Sequence, residues 1–276
     1  MVTWVVATRA VVLGAGHPAY PVLLGLVTAL GVAASVRPVR RRVLRLVGVV
    51  GLVLVLAAVL WLRPYAADPV ALEGSSAGVQ VVETATTWEL RPRAAMGAGV
   101  VFVPGALVDP RAYLALLRPL AEAGHTVVVL TPPLGISLTA PGAPLAAIDA
   151  HPDVPRWVVA GHSLGGVTAS TTAAAGDPRV RGLLLWAAYP QEDLSGSGIA
   201  VASISGDRDA LATPDDIAAS RAKLPPDTAF TAIPGGVHAY FGDYGPQAGD
   251  GTPATSRATA QQLIIEASTE LADRIG

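Results

Sequence analysis

The stretch from Arg156 to Gly166 constrains the fold of this chain more than any other segment. An apolar run with β-branched residues, Trp157 to Ala160, leads into Gly-His-Ser-Leu-Gly-Gly and then into small residues. This order predicts a buried strand, a very tight turn and the start of a helix. Side chains at positions 161 and 165 would crowd such a turn, which explains the two glycines. The turn would present Ser163 at a helix N-terminus, where free N–H groups favour negative charge.

The pentapeptide Gly161-His162-Ser163-Leu164-Gly165 fits the pattern G-x-S-x-G, and here the chain resembles the α/β-hydrolase superfamily. The resemblance implies an α/β fold with a mostly parallel sheet flanked by helices. It also implies that Ser163 is a nucleophile, which needs a base within reach because a serine hydroxyl is weak by itself.

The chain after residue 78 alternates between strand-like and helix-like segments. Continuous apolar strands separated by helices predict a parallel sheet covered on both faces, with functional groups at the carboxyl ends of the strands. An antiparallel edge hairpin is predicted at 79–84 and 87–90. Further strands are predicted at 98–103, 126–130, 156–160, 180–186, 199–204 and 228–233, and helices at 111–123, 143–150, 164–175, 214–223 and 255–272.

Two partners of Ser163 follow from the chain order serine, acid, histidine that the resemblance implies. Of five histidines, only His238 both follows Ser163 and lies just beyond a predicted strand, so it is the predicted base. The family pattern of a glycine, two variable residues and an aspartate selects Asp209 in Gly206-Asp207-Arg208-Asp209. Asp207 is the alternative acid, although a role in forming the turn suits it better.

The resemblance also implies an oxyanion hole made of two backbone N–H groups. One is the N–H of Leu164, directly after the nucleophile. The other lies in the loop after Val103, where alignment indicates Ala106, with Leu107 as the alternative. The family often has His-Gly in this loop, whereas this chain has Pro104-Gly105.

Two further stretches resemble a small bacterial subgroup that is similar to dienelactone hydrolases. One is Pro-Gly at 104–105 together with Asp-Pro-Arg-Ala-Tyr at 109–113. The other is Gly-Val-His-Ala-Tyr-Phe-Gly-Asp-Tyr-Gly at 236–245. Together the similar motifs cover about residues 79–272.

Composition excludes several other classes of function. A net charge of -2 gives no indication of a nucleic-acid partner. The chain has no cysteine, so a disulfide framework, a thiolate metal site and a cysteine nucleophile are all excluded. No metal ion and no organic cofactor is predicted.

The N-terminal residues 1–63 are predicted to form a membrane anchor. Apolar runs at about 19–36 and 46–62 both qualify in length as membrane-spanning helices, the second more clearly, and five arginines between 37 and 45 indicate a cytoplasmic loop. A single span preceded by a less regular segment is the alternative, and a signal peptide fits poorly. Residues 64–78 are then a short linker and 79–276 the hydrolase domain, which is expected at the cell membrane on the extracytoplasmic side.

The predicted activity is hydrolysis of an ester or thioester through an acyl-enzyme, with a small-molecule acyl compound as substrate and the lipid bilayer as the other partner. An acyltransferase with the same three residues is one alternative. A non-catalytic binding domain on a membrane anchor is another, although the joint presence of serine, acid, histidine and the two glycines argues against it. A carrier role for the apolar hairpin is disfavoured because the hairpin has little internal charge.

Overall fold

A computed structural model of the protein describes residues 2–36, 42–72 and 78–276. In these parts of the chain, eight strands form one sheet in the order β1-β2-β4-β3-β5-β6-β7-β8. The strands are β1 Val79–Glu83, β2 Thr87–Pro92, β3 Gly99–Val103, β4 Val127–Leu130, β5 Trp157–His162, β6 Val180–Trp186, β7 Ala200–Gly206 and β8 Ala229–Ile233.

Strand directions confirm the predicted mostly parallel sheet with an antiparallel hairpin at its edge. β2 pairs antiparallel with both β1 and β4, and all other neighbours are parallel. From β3 the chain first moves outward to β4, and it then returns to place β5 on the other side of β3. The carboxyl ends of β3 and β5 therefore flank the point where the winding reverses, which is where open α/β sheets bind their ligands.

Helices cover both faces of the sheet, because its central strands are apolar on both sides. All five residues of β3 are buried. On one face Val100 and Phe102 belong to a core with residues of the helices at 114–122 and 257–275, and on the other Val101 and Val103 belong to a core with residues of the helices at 143–149 and 164–174. Five helices follow β3 in the described part of the chain: α5 Leu114–Glu122, α6 Ala143–Asp149, α7 Leu164–Ala174, α8 Pro214–Ser220 and α9 Arg257–Ile275.

The predicted helix at 111–123 is divided into two parts. A 3-10 turn, Pro110–Tyr113, precedes α5, and the Asp109 carboxylate accepts the Arg111 N–H at the start of the turn. Thr213 caps α8: its hydroxyl accepts the Asp216 N–H, and the Asp216 carboxylate accepts the Thr213 N–H. These local bonds fix where both elements begin.

The N-terminal part contains three helices, α1 Val2–Ala15, α2 Ala19–Val36 and α3 Arg42–Trp61. A helix that crosses the hydrocarbon core of a bilayer needs about 20 predominantly apolar residues. Among the helices that the structure describes, none combines the length and the apolar character that a membrane span requires. The predicted anchor at 1–63, with spans at 19–36 and 46–62, is therefore not supported. Residues 37–41 of the predicted arginine loop lie outside the described residues, and the predicted extracytoplasmic location stays a prediction.

The segment that follows α3 lies against two loops at the edge of the sheet's carboxyl ends. Tyr65 forms a parallel bridge with Val108, and Ala67 forms an antiparallel bridge with Tyr244. A short helix, α4 Pro69–Leu72, comes next. Residues 73–77 of the predicted linker at 64–78 lie outside the described residues.

Candidate active site

The predicted tight turn joins β5 to α7 and places Ser163 at its apex. Ser163 has φ 53° and ψ −123°, a sparsely populated backbone conformation for a residue with a side chain. Its N–H donates to the carbonyl oxygen of Trp186 on the neighbouring strand at 3.0 Å. A Cβ atom on Gly161 would overlap the backbone of Gly165, and one on Gly165 would overlap the carbonyl of Val103. The turn is therefore strained and is held closely on both sides, as the sequence pattern predicts.

Asp209 and His238 meet at the carboxyl ends of β7 and β8. The Nδ1 atom of His238 lies 2.8 Å from Oδ2 of Asp209, and both side chains are buried. The second carboxylate oxygen of Asp209 accepts the N–H groups of Leu211 and Ala212, both at 2.8 Å. A carboxylate fixed in this way keeps the histidine proton on Nδ1, so that Nε2 can accept a proton.

In the described parts of the chain, Ser163 and His238 share no direct hydrogen bond. Within the described residues, Nε2 of His238 is buried and has no hydrogen-bond partner. The ring of His162, the residue before the serine, lies 4.6 Å from the ring of His238, centroid to centroid. Catalytic hydrogen bonds are often long in enzymes without substrate and shorten in the reacting complex.

His162 is part of the site, although the sequence analysis assigned it no role. Its ring is fully buried and stacks on Phe241 at an interplanar angle of 12°. The Tyr113 hydroxyl accepts the Gly105 N–H at 3.0 Å and lies 2.9 Å from Nδ1 of His162, to which it can donate. Burial lowers the pKa of His162 well below 6.5, and the nearby His238 lowers this pKa further. The His162 ring is therefore uncharged where it packs beside His238.

Two backbone N–H groups are available for an oxyanion. Leu164 is the first residue of α7, and the first N–H groups of a helix have no partner within that helix. In the parts of the chain that the structure describes, neither Leu164 nor Ala106 uses its N–H in a hydrogen bond. The carbonyl of Gly105 accepts the Val108 N–H at 3.2 Å, which fixes the peptide plane that carries the Ala106 N–H.

The alternative donor, Leu107, is already engaged. Its N–H donates to the carbonyl oxygen of Gly135 at 2.8 Å. Its φ of 60° is in the left-handed region, where few residues with a branched side chain lie. The hydrogen bonding therefore favours Ala106 as the donor from this loop.

Asp250 and Arg257 hold the histidine in place, and neither was singled out from the sequence. The Asp250 carboxylate accepts the N–H groups of His238 at 3.1 Å and Ala239 at 2.9 Å, at the start of the 3-10 turn His238–Phe241. The Arg257 guanidinium donates to three carbonyl oxygens around this turn, those of Ala239, Gly242 and Tyr244. Both residues lie after the end of the motif at 236–245, and no local pattern marks them.

The rejected candidates lie elsewhere or have structural partners. Asp207 is exposed, and its carboxylate accepts the Gly235 N–H at 2.7 Å, which is the contact of a turn-forming aspartate. His125 contacts Asp273, and His151 contacts Glu89. Among the described residues, no group of three or more histidine, cysteine or acidic side chains could hold a metal ion.

A comparison with protein families matches residues 99–262 to the alpha/beta hydrolase family, which is more than half of the 276 residues. The chain belongs to this family. The match in this α/β-hydrolase includes Ser163, Asp209 and His238. A comparison with curated protein sequences gave no match.

Solved structures with the same fold include several esterases. The esterase domain of a Rhodothermus marinus protein superposes with a TM-score of 0.54 at 14% identity, covering 72% of this chain and 99% of that one. A bacterial heroin esterase superposes with a TM-score of 0.53 at 13% identity, and the match covers 74% of this chain and 87% of the esterase. A dienelactone hydrolase-like promiscuous phosphotriesterase from metagenomic libraries superposes with a TM-score of 0.50 at 20% identity. This match covers 68% of this chain and 92% of the phosphotriesterase. At these identities the likeness shows the fold of this α/β-hydrolase.

Proposed function

We propose that the protein is a serine hydrolase that cleaves an ester or thioester of a small-molecule acyl compound. Ser163 is the nucleophile, His238 the general base and Asp209 the acid that orients it. The observation that carries this proposal is the 2.8 Å contact between Asp209 and Nδ1 of His238 beside the strained Ser163 turn. Esterases among the structures with the same fold, and the dienelactone hydrolase-like neighbour, support the same class of reaction.

In the first half of the reaction, the Ser163 hydroxyl attacks the carbonyl carbon of the substrate, and its proton passes to Nε2 of His238. The carbonyl oxygen becomes an oxyanion, which accepts the N–H groups of Ala106 and Leu164. The bond to the alcohol or thiol then breaks, and the leaving group takes the proton from Nε2. An acyl group remains on Ser163.

In the second half, water attacks the acyl group and gives its proton to Nε2. Collapse of the second oxyanion releases the carboxylic acid and returns the proton to Ser163. In both halves the Asp209 carboxylate stabilises the imidazolium of His238 without taking its proton. The neutral His162 ring places no positive charge beside that imidazolium.

The test is hydrolysis of p-nitrophenyl acetate and of a short acyl thioester by four purified proteins. Wild type and Asp207→Asn are expected to hydrolyse these substrates, whereas Ser163→Ala and Asp209→Asn are expected to be strongly impaired. Asp207 is the matched control because it is two residues away, exposed and bonded to Gly235. Ser163→Ala with the activity of wild type contradicts the proposed nucleophile. Equal losses in the two aspartate variants contradict the proposed acid.

A further inference from the structure

Residues 64–68, which we call the strap, form an extra extended segment beside the loop that carries Ala106. The Tyr65 N–H donates to the carbonyl oxygen of Leu107 at 2.7 Å, and its carbonyl accepts the Asp109 N–H at 2.9 Å. Between these bonds, Tyr65 pairs in parallel with Val108. One end of the strap is thus joined to the loop after β3 through backbone atoms.

The other end of the strap is joined to the segment after the 3-10 turn His238–Phe241, which we call the histidine turn. Ala67 pairs antiparallel with Tyr244, and the Asp68 N–H donates to the carbonyl oxygen of Asp243 at 2.8 Å. The rings of Tyr65 and Tyr244 lie 5.8 Å apart, centroid to centroid. The strap therefore connects two loops that are more than a hundred residues apart in sequence and that both belong to the candidate active site.

A buried ion pair strengthens the first connection. The Asp109 carboxylate accepts bonds from the Arg111 guanidinium, at 2.6 Å from Nη2 and 3.0 Å from Nε. The same carboxylate accepts the Ala67 N–H at 3.4 Å. The Asp109 side chain has no exposed surface and the Arg111 side chain has 9%, so the pair has little freedom to rearrange.

The strap binds Leu107, the strained residue that follows Ala106, whose N–H is the proposed donor to the oxyanion. Leu107 has a φ of 60°, and such a conformation persists only where the surroundings fix it. Its N–H is bound by Gly135, and its carbonyl by the strap residue Tyr65. In a trans peptide the C=O and N–H point in opposite directions. The bond from the Val108 N–H to the Gly105 carbonyl therefore aims the Ala106 N–H away from Val108, and Tyr65 pairs with Val108.

We propose that the strap is a positioning element of the catalytic site, which holds the Ala106 N–H and the histidine turn in their reactive arrangement. This inference rests on the proposed serine hydrolase function. The strap precedes residues 99–262, the part of the chain that matches the family, so the site depends on a segment outside the matched domain. Loss of the strap bond moves a group that binds the oxyanion only in the transition state, and kcat falls while KM changes little.

The test compares Tyr65→Pro with Ala66→Pro in the full chain, using p-nitrophenyl acetate. Proline at 65 removes the N–H that binds Leu107 and also the ring beside Tyr244. Tyr65→Ala, which removes the ring and keeps the N–H, is therefore measured alongside it. Proline at 66 is the matched control, since no hydrogen bond of the Ala66 N–H occurs in the described parts of the chain. Removing an oxyanion donor altogether costs about 10²–10³ in kcat. We expect Tyr65→Pro, which displaces one, to lower kcat about 10-fold or more, with KM within about threefold of that of Ala66→Pro.

A second readout separates positioning from general loss of structure. The affinity for a trifluoromethyl ketone, whose adduct with Ser163 is an oxyanion, should fall in Tyr65→Pro by about the same factor as kcat. Equal kcat values in the two proline variants, or a change confined to KM, would overturn the inference. A wild-type protein without esterase activity would contradict the proposed function instead.

Should Tyr65→Pro fail to fold by circular dichroism, Asp68→Pro takes its place under the same criterion. That variant leaves the Tyr65 end intact and removes the N–H that binds the Asp243 carbonyl. Because the Asp68 carboxylate is lost with it, Asp68→Ala, which keeps the N–H, is measured alongside it. A kcat for Asp68→Pro equal to that of Ala66→Pro would then overturn the inference.

Discussion

Burial of His162 predicts a pH-dependent contribution to the stability of the protein. The side chain is fully buried, and burial lowers its pKa well below 6.5, with the nearby His238 as the second cause. The unfolded chain gains a proton on this residue near its ordinary pKa, whereas the folded chain keeps it neutral. The stability from this neutral histidine is complete above about pH 6.5, and it is lost as the pH falls from there toward the folded pKa.

The magnitude follows from the number of protons bound by the two states. Within this window the unfolded chain binds up to one more proton, so the free energy of unfolding falls by up to about 1.4 kcal/mol per pH unit. With His162 neutral throughout, integration from pH 7 to pH 5 gives a loss of about 1.9 kcal/mol from this one residue.

The assay is urea unfolding at pH 7 and pH 5 of wild type, His162→Asn and His162→Phe. Asparagine retains an acceptor for the Tyr113 hydroxyl and phenylalanine retains a ring, so the two variants should differ in stability at either pH. Neither titrates, so both should lose about 1.9 kcal/mol less than wild type on acidification. If both variants lose as much stability as wild type, His162 is not the buried neutral group that its environment indicates.

Three further predictions concern the turn that carries Ser163, the proposed acid Asp209 and the histidine turn. Gly165→Ala should destabilise the fold by about 3 kcal/mol in thermal unfolding, because a Cβ would overlap the Val103 carbonyl. Gly196→Ala, where a Cβ meets nothing within 4 Å, should change stability by less than about 1 kcal/mol. Asp209→Asn should lower kcat about 10³- to 10⁴-fold in steady-state ester hydrolysis, because the histidine then takes the wrong tautomer. Arg257→Lys should lower the urea-unfolding free energy by about 1–3 kcal/mol, since an ammonium lacks the planar fork that reaches several carbonyls.

The strands were predictable because burial on both faces imposes apolar, β-branched runs. The run at 98–103 became β3 and the run at 156–160 became β5, and every residue of these two strands is buried. The hairpin at 79–90 was predictable from its alternation. The membrane prediction failed because it judged apolar runs alone, whereas the described helices do not combine the required length and apolar character.

Contacts that use backbone atoms could not be predicted, since every residue type carries them. The strap contains proline and alanine and has no apolar periodicity, so it suggested a linker, yet Tyr65 and Asp68 bind the domain through main-chain bonds. Similarly, the sequence left Ala106 and Leu107 as alternatives, and only the bond from the Leu107 N–H to Gly135 distinguishes them.

Side-chain contacts between residues that are not local in sequence could not be predicted either. The position of His162 in the elbow is fixed by the motif, but its contact with His238 depends on how the last strand returns to the sheet. Asp250 and Arg257 act on the same turn from a loop and from the start of α9. Their partners are set by the tertiary fold, and a single sequence carries no sign of them.

The central claim is that Ser163 is a nucleophile activated by His238. The most direct measurement is the intact mass of the full chain after reaction with a fluorophosphonate, for wild type, Ser163→Ala, His238→Ala and Ser195→Ala, the last an exposed serine in another loop. Wild type and Ser195→Ala should each gain one adduct, which peptide mapping places on Ser163, and the other two variants should gain none at the same probe concentration. A folded wild type that gains no adduct, or an adduct that persists in Ser163→Ala, would contradict the account.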